Sequence, residues 1–402
     1  MATMQEEIFQ ILPSFEDQAA TAGPSDIVTL LKNALAEPID HPVLTESIFP
    51  GDRVTILVQN GLPAARKTLE SLVRVLEQNR IETENVLVVV SPGMKRAFDL
   101  VESRPADPET GTPMTWRMKS DNSESPLQFE VHAADDEQCA SYLAANEQGN
   151  PVYVNRSLFD SDVILPLSCI LPGRKHSDCL YPEFSIDETR GRYRGKQDSE
   201  HQRIAEAELA NDSLGLFFSI ELVCGPGKVI EDIVCGSRTR ARQVAADRLE
   251  PLWHMDAEED GDVVVTTIES ADEDATWAQV VSAVNVAATV VPDGPIIVWS
   301  KLKEKPKGKI TTACSAQFEG SVPDSLPTQL QHFASILCER PVYLKSELSS
   351  NVVEGLGLGY IESTESAQRI LSTFSQPRLI RDGHMRSAQS THSELSIAEH
   401  ER

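Results

Sequence analysis

The residues with the most chemical potential stand together in one short segment, in the order Gly173, Arg174, Lys175 and His176. Arg174 and Lys175 form a basic pair that could bind a carboxylate or a phosphate. His176 could serve as an acid, a base or a metal ligand, because histidine titrates near neutral pH. The structural alternatives are a basic pair on an exposed surface and a loop histidine that faces solvent.

Cysteine chemistry is not indicated. The seven cysteines stand singly, without a Cys-x-x-Cys pair, so neither a zinc ribbon nor a redox dithiol is predicted. Cys169 and Cys179 flank His176, but their spacing matches no standard zinc pattern. We interpret most cysteines as small buried hydrophobic residues of a protein in a reduced compartment.

Nucleotide and hydrolase motifs are missing from the sequence as well. The glycine-rich stretch Gly355–Tyr360 fails the dinucleotide-binding pattern, because Tyr360 stands where a glycine is required. A glycine-rich bend in a strand is the better interpretation. The sequence contains no Walker loop, no Gly-x-Ser-x-Gly elbow and no His-Glu-x-x-His motif.

The charge of the chain restricts its partners. A formal net charge of −26 repels phosphate backbones and anionic membranes, so no nucleic acid and no membrane surface is expected to bind. The acidic stretch Asp256–Asp262 is interpreted as a solvated linker. The basic stretch Lys301–Lys309 runs against the trend, and it could be a mobile loop or the rim of a site for an anionic ligand.

The sequence shows no targeting segment. Its longest apolar runs, such as Val284–Val291, are far shorter than the roughly 20 residues that a bilayer crossing needs. The start of the chain, Met1–Gln10, has two glutamates and no lysine or arginine, unlike a secretory signal. The cytoplasm is therefore the expected location.

The elements around Gly173–His176 indicate a parallel sheet. Asp52–Val58 and Val86–Val90 are predicted to be buried strands, with an amphipathic helix over Pro63–Gln78 between them. Continuous apolar strands joined by a helix are typical of a parallel sheet that is covered on both faces. A further strand at Asp162–Leu167 leads into the basic segment.

Less regular stretches follow the second strand. Ser103–Pro126 is predicted to be a surface insertion, because it is rich in proline, serine, aspartate and threonine. Phe129–His132 is predicted to be a strand and Asp136–Asn146 a helix. Two strands joined by Gly-Pro-Gly, Leu216–Val223 and Lys228–Val234, indicate a hairpin.

The expected fold class is α/β, with two domains whose parallel or mixed sheets face an interdomain cleft. Strand and helix patterns alternate again from residue 262 to residue 374, so we place a boundary near Asn211. The predicted parts are an N-terminal extension (1–49), a first domain (50–211), a second domain (212–376) and a disordered tail (377–402).

Several blocks occur in an ordered set over roughly residues 50–300. These blocks are Gly51–Val54, Val86–Gly93, Ser161–Pro166, Gly173–Lys175, Tyr181–Thr189, the hairpin of 216–234 with Gly236, Asp262–Val265, Gln279 and Pro295–Val298. The set resembles the nickel-pincer-dependent lactate racemases. The resemblance implies an isomerase that transfers the α-hydride of a 2-hydroxy acid to a nickel-pincer nucleotide tethered to a lysine, while two histidines move the hydroxyl proton and another histidine binds nickel.

At the positions that the resemblance assigns to the family's functional residues, this sequence has the tethering lysine and lacks most of the histidines. Lys175 corresponds to the tethering lysine, and Gly173 and Arg174 belong to the same cofactor loop. The Gly-Thr-His-Arg motif of the first proton-shuttling histidine is Gly93–Arg96 here, which places Lys95 at the histidine position. The second histidine is deleted, because Leu167–Pro172 runs directly into Gly173.

The remaining family positions have changed too. The nickel-binding histidine falls near Tyr193 and Arg194, and arginine has no lone pair to offer a metal. Asn60 begins the stretch that stands in for the family's Asp-x-Thr-Arg-Pro. In the Tyr-Gln-x-x-Lys signature only Gln279 survives, since Ala278 replaces tyrosine and Ser282 replaces lysine.

Three functional interpretations follow. The first is a catalytically degenerate lactate racemase-like protein that binds a small anionic ligand, such as a hydroxy acid, or a protein partner, with no cofactor expected. The second is a diverged racemase or epimerase that keeps the nickel-pincer nucleotide on Lys175 and uses Lys95 or His176, with Gln279, in catalysis. The third is a structural or regulatory subunit with an empty cleft. The sequence leaves the oligomeric state open.

Overall fold

The structure is a computed structural model. It describes residues 4–12, 26–78, 81, 83–104, 114–119, 127–172, 180–193, 200–256, 260–269 and 275–389. Within these residues the helices are α1 Met4–Ile11, α2 Ile27–Ala36, α3 Ala65–Gln78, α4 Arg156–Phe159, α5 Asp187–Tyr193, α6 Glu200–Ser213, α7 Arg238–Trp253, α8 Trp277–Val290, α9 Lys309–Glu319, α10 Thr328–Glu339, α11 Ser350–Gly355 and α12 Thr364–Leu371.

The strands of the same residues alternate with these helices. They are β1 Val54–Val58, β2 Val86–Val90, β3 Leu100–Arg104, β4 Thr115–Met118, β5 Gln128–Val131, β6 Ala140–Ala145, β7 Pro151–Asn155, β8 Val163–Ile170, β9 Phe218–Cys224, β10 Ile230–Ser237, β11 His254–Asp256, β12 Val263–Thr267, β13 Ile296–Trp299, β14 Val342–Lys345, β15 Gly359–Tyr360, β16 Pro377–Ile380 and β17 Ser387–Gln389.

The chain divides into two units. The N-terminal unit is Pro24–Leu249, and the C-terminal unit combines Met1–Gly23 with Glu250–Arg402. The two α/β domains with parallel and mixed sheets that the sequence predicts are therefore confirmed.

A sheet in the order β10-β9-β8-β1-β2-β5-β4-β3 forms the centre of the N-terminal unit. The strands from β9 to β5 run parallel, and β10, β4 and β3 add antiparallel pairs at the two sides. β1 and β8 are buried along their whole length, which explains their continuous apolar sequences. Helices α2 and α3 pack against one face, and residues of α6 and β7 lie in the cluster on the other.

A five-stranded sheet forms the centre of the C-terminal unit. Its order is β15-β14-β13-β12-β16, and every pair is parallel. Helices α8 and α10 cover one face, while α1 and α12 cover the other. Ile8 and Ile11 of α1 belong to this second cluster, and Trp299 donates a hydrogen bond from Nε1 to Glu7 Oε2 at 3.1 Å. The start of the chain is thus part of a core, where the sequence predicts an extension.

Most predicted elements are confirmed, including the hairpin, in which β9 and β10 pair antiparallel. Three of the predicted elements are wrong. Gly355–Tyr360 is not a bend within one strand, because α11 ends at Gly355 and only Gly359–Tyr360 is a strand. Ala140–Ala145 is a strand paired with β7, where the sequence predicts a helix. Pro377–Ile380 is the strand β16 beside β12, where the sequence predicts a disordered tail. The residues 390–402 of that tail lie outside the described residues.

The predicted boundary and insertion also differ from the structure. Asn211 is a fully buried residue inside α6, and the units separate between Leu249 and Glu250. The hairpin stays with the N-terminal unit because β9 extends the parallel sheet beside β8. Thr115–Met118, within the predicted insertion, is a strand of the same sheet. No helix among the described residues is long and apolar enough to cross a membrane.

Candidate functional site

The parallel strands β8, β1, β2 and β5 of the N-terminal unit end at one edge of the sheet. Ligands of open α/β sheets bind beyond the carboxyl ends of the strands. Gln59 and Asn60 follow β1, and the short 3-10 turn Pro92–Lys95 follows β2. This edge is therefore the expected position of a ligand site.

Contacts between the loops at this edge bring Asn60 and Lys95 into one region. A Cβ at position 93 would meet Asn60 Oδ1 at 2.9 Å, so the Asn60 side chain lies directly against the turn that carries Lys95. The Gly61 amide lies 3.3 Å from Met94 Sδ of the same turn. Gln59 links β1 to β8, because its Oε1 accepts a hydrogen bond from the Cys169 amide at 2.7 Å.

Lys95 is half-buried and faces an aromatic ring. Its Nζ lies 4.2 Å from the centroid of the Trp116 ring in β4. A ring face attracts the charged ammonium and offers the neutral amine no comparable interaction. The contact with Trp116 holds the Lys95 side chain at this edge of the sheet, where its ammonium can attract an anion.

The basic segment Gly173–His176 lies outside the described residues, as do Cys179 and Arg194. The strand that leads to it, β8, ends at Ile170 at the same edge as Asn60 and Lys95. The predicted cofactor-binding roles of Gly173, Arg174 and Lys175, and the catalytic role of His176, stay predictions.

A buried polar network at the end of β5 was missed by the sequence reasoning. His132 accepts a hydrogen bond at Nδ1 from Asn155 Nδ2 (3.3 Å) and donates one from Nε2 to the Ser185 carbonyl (3.0 Å). Asn155 and Ser157 also donate to the carboxyl group of Glu130. Burial lowers the pKa of His132 and raises the pKa of Glu130. His132 is therefore a neutral histidine whose two nitrogens are both hydrogen-bonded, and its role here is structural.

Tyr193, one of the two residues near which the sequence resemblance predicts the nickel-binding histidine to fall, has packed surroundings. Its ring centroid lies 6.4 Å from that of Tyr181, whose hydroxyl donates to the buried carboxylate of Glu206. Arg192 Nη2 lies 3.8 Å from the same carboxylate. Burial raises the pKa of both tyrosines, and the carboxylate adds to the effect. A phenol that keeps its proton is a poor metal ligand.

The described residues therefore do not fit the nickel of a pincer cofactor. No group of three histidine, cysteine, aspartate or glutamate side chains comes together as a metal site in the part of the chain that the structure describes.

Gln279 lies in the C-terminal unit, in the first turn of α8. Its Oε1 accepts hydrogen bonds from the Thr276 amide (2.8 Å) and from Thr276 Oγ1 (3.3 Å), and Thr276 Oγ1 accepts from the Gln279 amide (3.4 Å). These reciprocal bonds form a capping box. The side chain predicted to be catalytic is thus engaged at a helix start. Ser282 donates from Oγ to the His384 carbonyl at 3.1 Å.

His384 belongs to a second titratable group that the sequence reasoning missed. Asp382, fully buried, follows β16 and accepts a hydrogen bond from the Glu269 amide at 3.0 Å. Arg381 Nε lies 3.5 Å from Glu269 Oε1. Burial lowers the pKa of His384 to about 4. These residues were overlooked because the sequence after residue 376 has no apolar periodicity.

Comparisons with known proteins agree with this architecture. A model of the lactate racemase N-terminal domain family matches residues 6–173. The structure of the lactate racemase apoprotein from Thermoanaerobacterium thermosaccharolyticum is similar with a TM-score of 0.54 and 14% identity, over 91% of this chain and 93% of that one. A protein from Thermotoga maritima gives a TM-score of 0.46 and 13% identity, over 90% and 96% of the chains. No curated protein sequence matches. Residues 6–173 therefore match the lactate racemase N-terminal domain family, and the chain as a whole has a fold similar to that of the lactate racemase apoprotein.

Proposed function

We propose that this chain is a catalytically degenerate lactate racemase-like protein that binds a small anionic ligand, such as a 2-hydroxy acid. The observation that carries the proposal is Lys95, which stands at the position of a proton-shuttling histidine and holds its ammonium 4.2 Å from the Trp116 ring. Racemisation through a ketone requires a group that takes the hydroxyl proton and returns it. Histidine suits this step because its imidazole can act as acid or base near neutral pH, and this chain has lysine in its place.

The same geometry supports the binding of an anion. The Lys95 ammonium and the Asn60 side chain lie at one edge of the sheet, beyond the ends of β1 and β2. A positive charge and an amide donor together suit a carboxylate. In a chain with a net charge of −26, such local positive groups decide where an anion binds.

The chain's own residues argue against the family's cofactor as a working group. When bound, a nickel-pincer nucleotide supplies a hydride acceptor for the α-carbon of a hydroxy acid. Lys175 could tether it, but Tyr193 and Lys95 replace two of the histidines that the chemistry uses. The proposal therefore expects no cofactor. If an active enzyme is found instead, it is an isomerase that acts on 2-hydroxy acids.

The cytoplasm is the proposed location. The six cysteines among the described residues are free thiols, and Cys169 Sγ lies 3.1 Å from Cys224 Sγ without a bond between them. Thiols this close stay reduced in the cytosol and would be expected to oxidise in a secreted protein.

The test of this proposal compares ligand binding with racemisation. Titration of the full chain with D-lactate and L-lactate, followed by calorimetry, should show saturable binding. Lys95→Met should weaken binding by about tenfold or more, a loss of about 1.4 kcal/mol, while Lys95→Arg should retain it because it keeps the charge. Lys119→Met removes one exposed charge at the end of β4 and serves as the matched control.

Chiral chromatography of lactate, after incubation with protein co-produced with cofactor-building enzymes, gives the second readout. The proposal expects no interconversion by the natural chain. Interconversion would overturn the claim of degeneracy and favour a diverged racemase or epimerase. If Lys95→Met and Lys119→Met weakened lactate binding equally, Lys95 would not be the binding group. If neither enantiomer of lactate bound, a structural or regulatory subunit would be favoured.

A further inference from the structure

A cavity of about 400 Å³ lies in the C-terminal unit between the start of α8 and the loop that follows β13. Its volume is in the range of small-molecule sites. The lining residues are Ala275, Thr276, Trp277, Ala278, Leu302, Glu304, Lys305, Lys307 and Ile310. None of these residues belongs to the site at Lys95, so ligand binding in this cavity does not depend on the proposed function.

The inner wall of the cavity is apolar and held in place. Trp277 and Leu302 are buried, and Ile310 is half-buried. Trp277 donates a hydrogen bond from Nε1 to the Glu304 carbonyl at 2.7 Å, which fixes both the indole ring and the loop beyond it. A wall of this kind binds an apolar or aromatic group by removing it from water.

The rim of the cavity is basic. Lys301–Lys309 contains five lysines and one glutamate, a formal charge of +4 in a chain of −26. Lys305 and Lys307 reach the cavity and are exposed, and the Lys307 Nζ lies 3.8 Å from Glu304 Oε2. An exposed pair of this kind is weak, so it leaves Lys307 available to an anion.

The start of α9 adds to this positive rim. Gly308 at the N-cap has no capping side chain, and the first turn holds Lys309 and no acidic residue. Amide donors and the positive end of the helix dipole thus stand beside several lysines, an arrangement that repels cations and attracts an anion.

Ala278 lines the cavity with a small, exposed side chain. In the resemblance to the racemases, this position corresponds to the tyrosine of the Tyr-Gln-x-x-Lys signature. A single substitution can therefore close the cavity without changing any charge.

We propose that this cavity binds an anionic small molecule with an apolar body, either a carboxylate or a phosphate ester that carries an aromatic or branched alkyl group. The anion contacts Lys305 and Lys307 near the start of α9, and the body packs against Trp277 and Leu302. Lactate is not this ligand, because it has no apolar group large enough for the inner wall.

The test uses phenyl phosphate as the probe, with inorganic phosphate and phenol as its two halves. Binding to the full chain is measured by calorimetry and by quenching of tryptophan fluorescence, with Trp277→Phe identifying the signal of Trp277. Phenyl phosphate should bind at least about tenfold more tightly than either half, because charge and apolar burial both contribute.

Three variants decide the location. Ala278→Phe should fill the cavity, and the double variant Lys305→Met with Lys307→Met should remove the anion contact; each should raise the Kd of phenyl phosphate about tenfold or more. The double variant Lys301→Met with Lys303→Met removes the same charge from residues that do not line the cavity, and should change the Kd little. Absence of binding, or an equal loss in both double variants, would overturn the proposal. Lys95→Met should bind the probe normally, which separates this site from the proposed function.

Discussion

Lys95 shows how one side chain sets the chemistry that the edge of a sheet can offer. The turn Pro92–Lys95 lies close to Asn60 at this edge, and it carries an ammonium against an indole ring. The sequence identified the substitution. It could not identify Trp116 as the partner, because that residue lies in a stretch with no periodicity, which the sequence interprets as an insertion.

His384 carries a pH dependence that can be measured. Burial lowers its pKa from 6.5 to about 4, so the unfolded chain takes up a proton between these values before the folded chain does. Stability is then fully present above pH 6.5 and is lost as the pH falls toward 4. Between pH 7.5 and pH 5.0 the expected loss in the free energy of unfolding from this residue is about 2 kcal/mol.

Urea unfolding at both pH values checks this expectation. His384→Leu should lose about 2 kcal/mol less than the natural chain on acidification, while His201→Leu, at an exposed position, should lose as much as the natural chain. A natural chain and a His384→Leu variant with the same pH dependence would contradict the assignment.

At the scale of elements, the predictable parts are those with strong periodicity. The continuous apolar sequences of β1, β2 and β8 and the amphipathic pattern of α3 each indicate their structure from local sequence. Ala140–Ala145 has residues that favour helices, and its pairing with β7 overrides that preference. β16 could not be predicted, because its partner β12 lies more than a hundred residues earlier in the chain.

In the N-terminal unit, the close approach of β10 to Ile39 requires a glycine at position 236. Its φ is +146°, and a side chain there would meet the Ile39 carbonyl oxygen at 2.2 Å. Ile39 forms a bridge with Gly236 at the edge of β10. The sequence marks Gly236 in the resemblance, but only the structure shows the close backbone contact that explains it.

The capping box of α8 gives a test of the role of Gln279. Thr276→Ala and Gln279→Ala should each lower the free energy of unfolding by about 1 kcal/mol, and the double variant by less than the sum, because both residues belong to one set of bonds. Urea unfolding measures all three, and Thr312→Ala on the exposed side of α9 is the control. If the Gln279→Ala variant had the same free energy of unfolding as the natural chain, the capping role would be contradicted. Gln279 would then again be a candidate catalytic residue.

At the scale of the whole molecule, the sequence predicts two α/β units but not where the chain passes between them. The sequence pattern assigns the hairpin of β9 and β10 to the predicted second domain. In the structure, its two strands belong to the sheet of the N-terminal unit. Similarly, α1 is separated in sequence from the C-terminal unit whose core it joins. Packing between segments that are distant in sequence decides these contacts, and the local sequence pattern gives no information about it.

Fragments of the chain test this division. Residues 24–253, which keep α7 complete, should unfold cooperatively and give a dispersed NMR spectrum. Residues 24–211 end at the predicted boundary and lack β9, so the fully buried strand β8 becomes an exposed apolar edge. This fragment should aggregate. A well-folded 24–211 fragment would contradict the assignment of the hairpin to the N-terminal unit.

The central claim is that the lactate racemase-like fold persists here without the racemase's chemistry. The most direct measurement is the intact mass and nickel content of the full chain, produced together with the enzymes that build the nickel-pincer cofactor. The account predicts an unmodified chain without nickel. An added mass that maps to Lys175, with about one nickel per chain as a tethered cofactor requires, would contradict it.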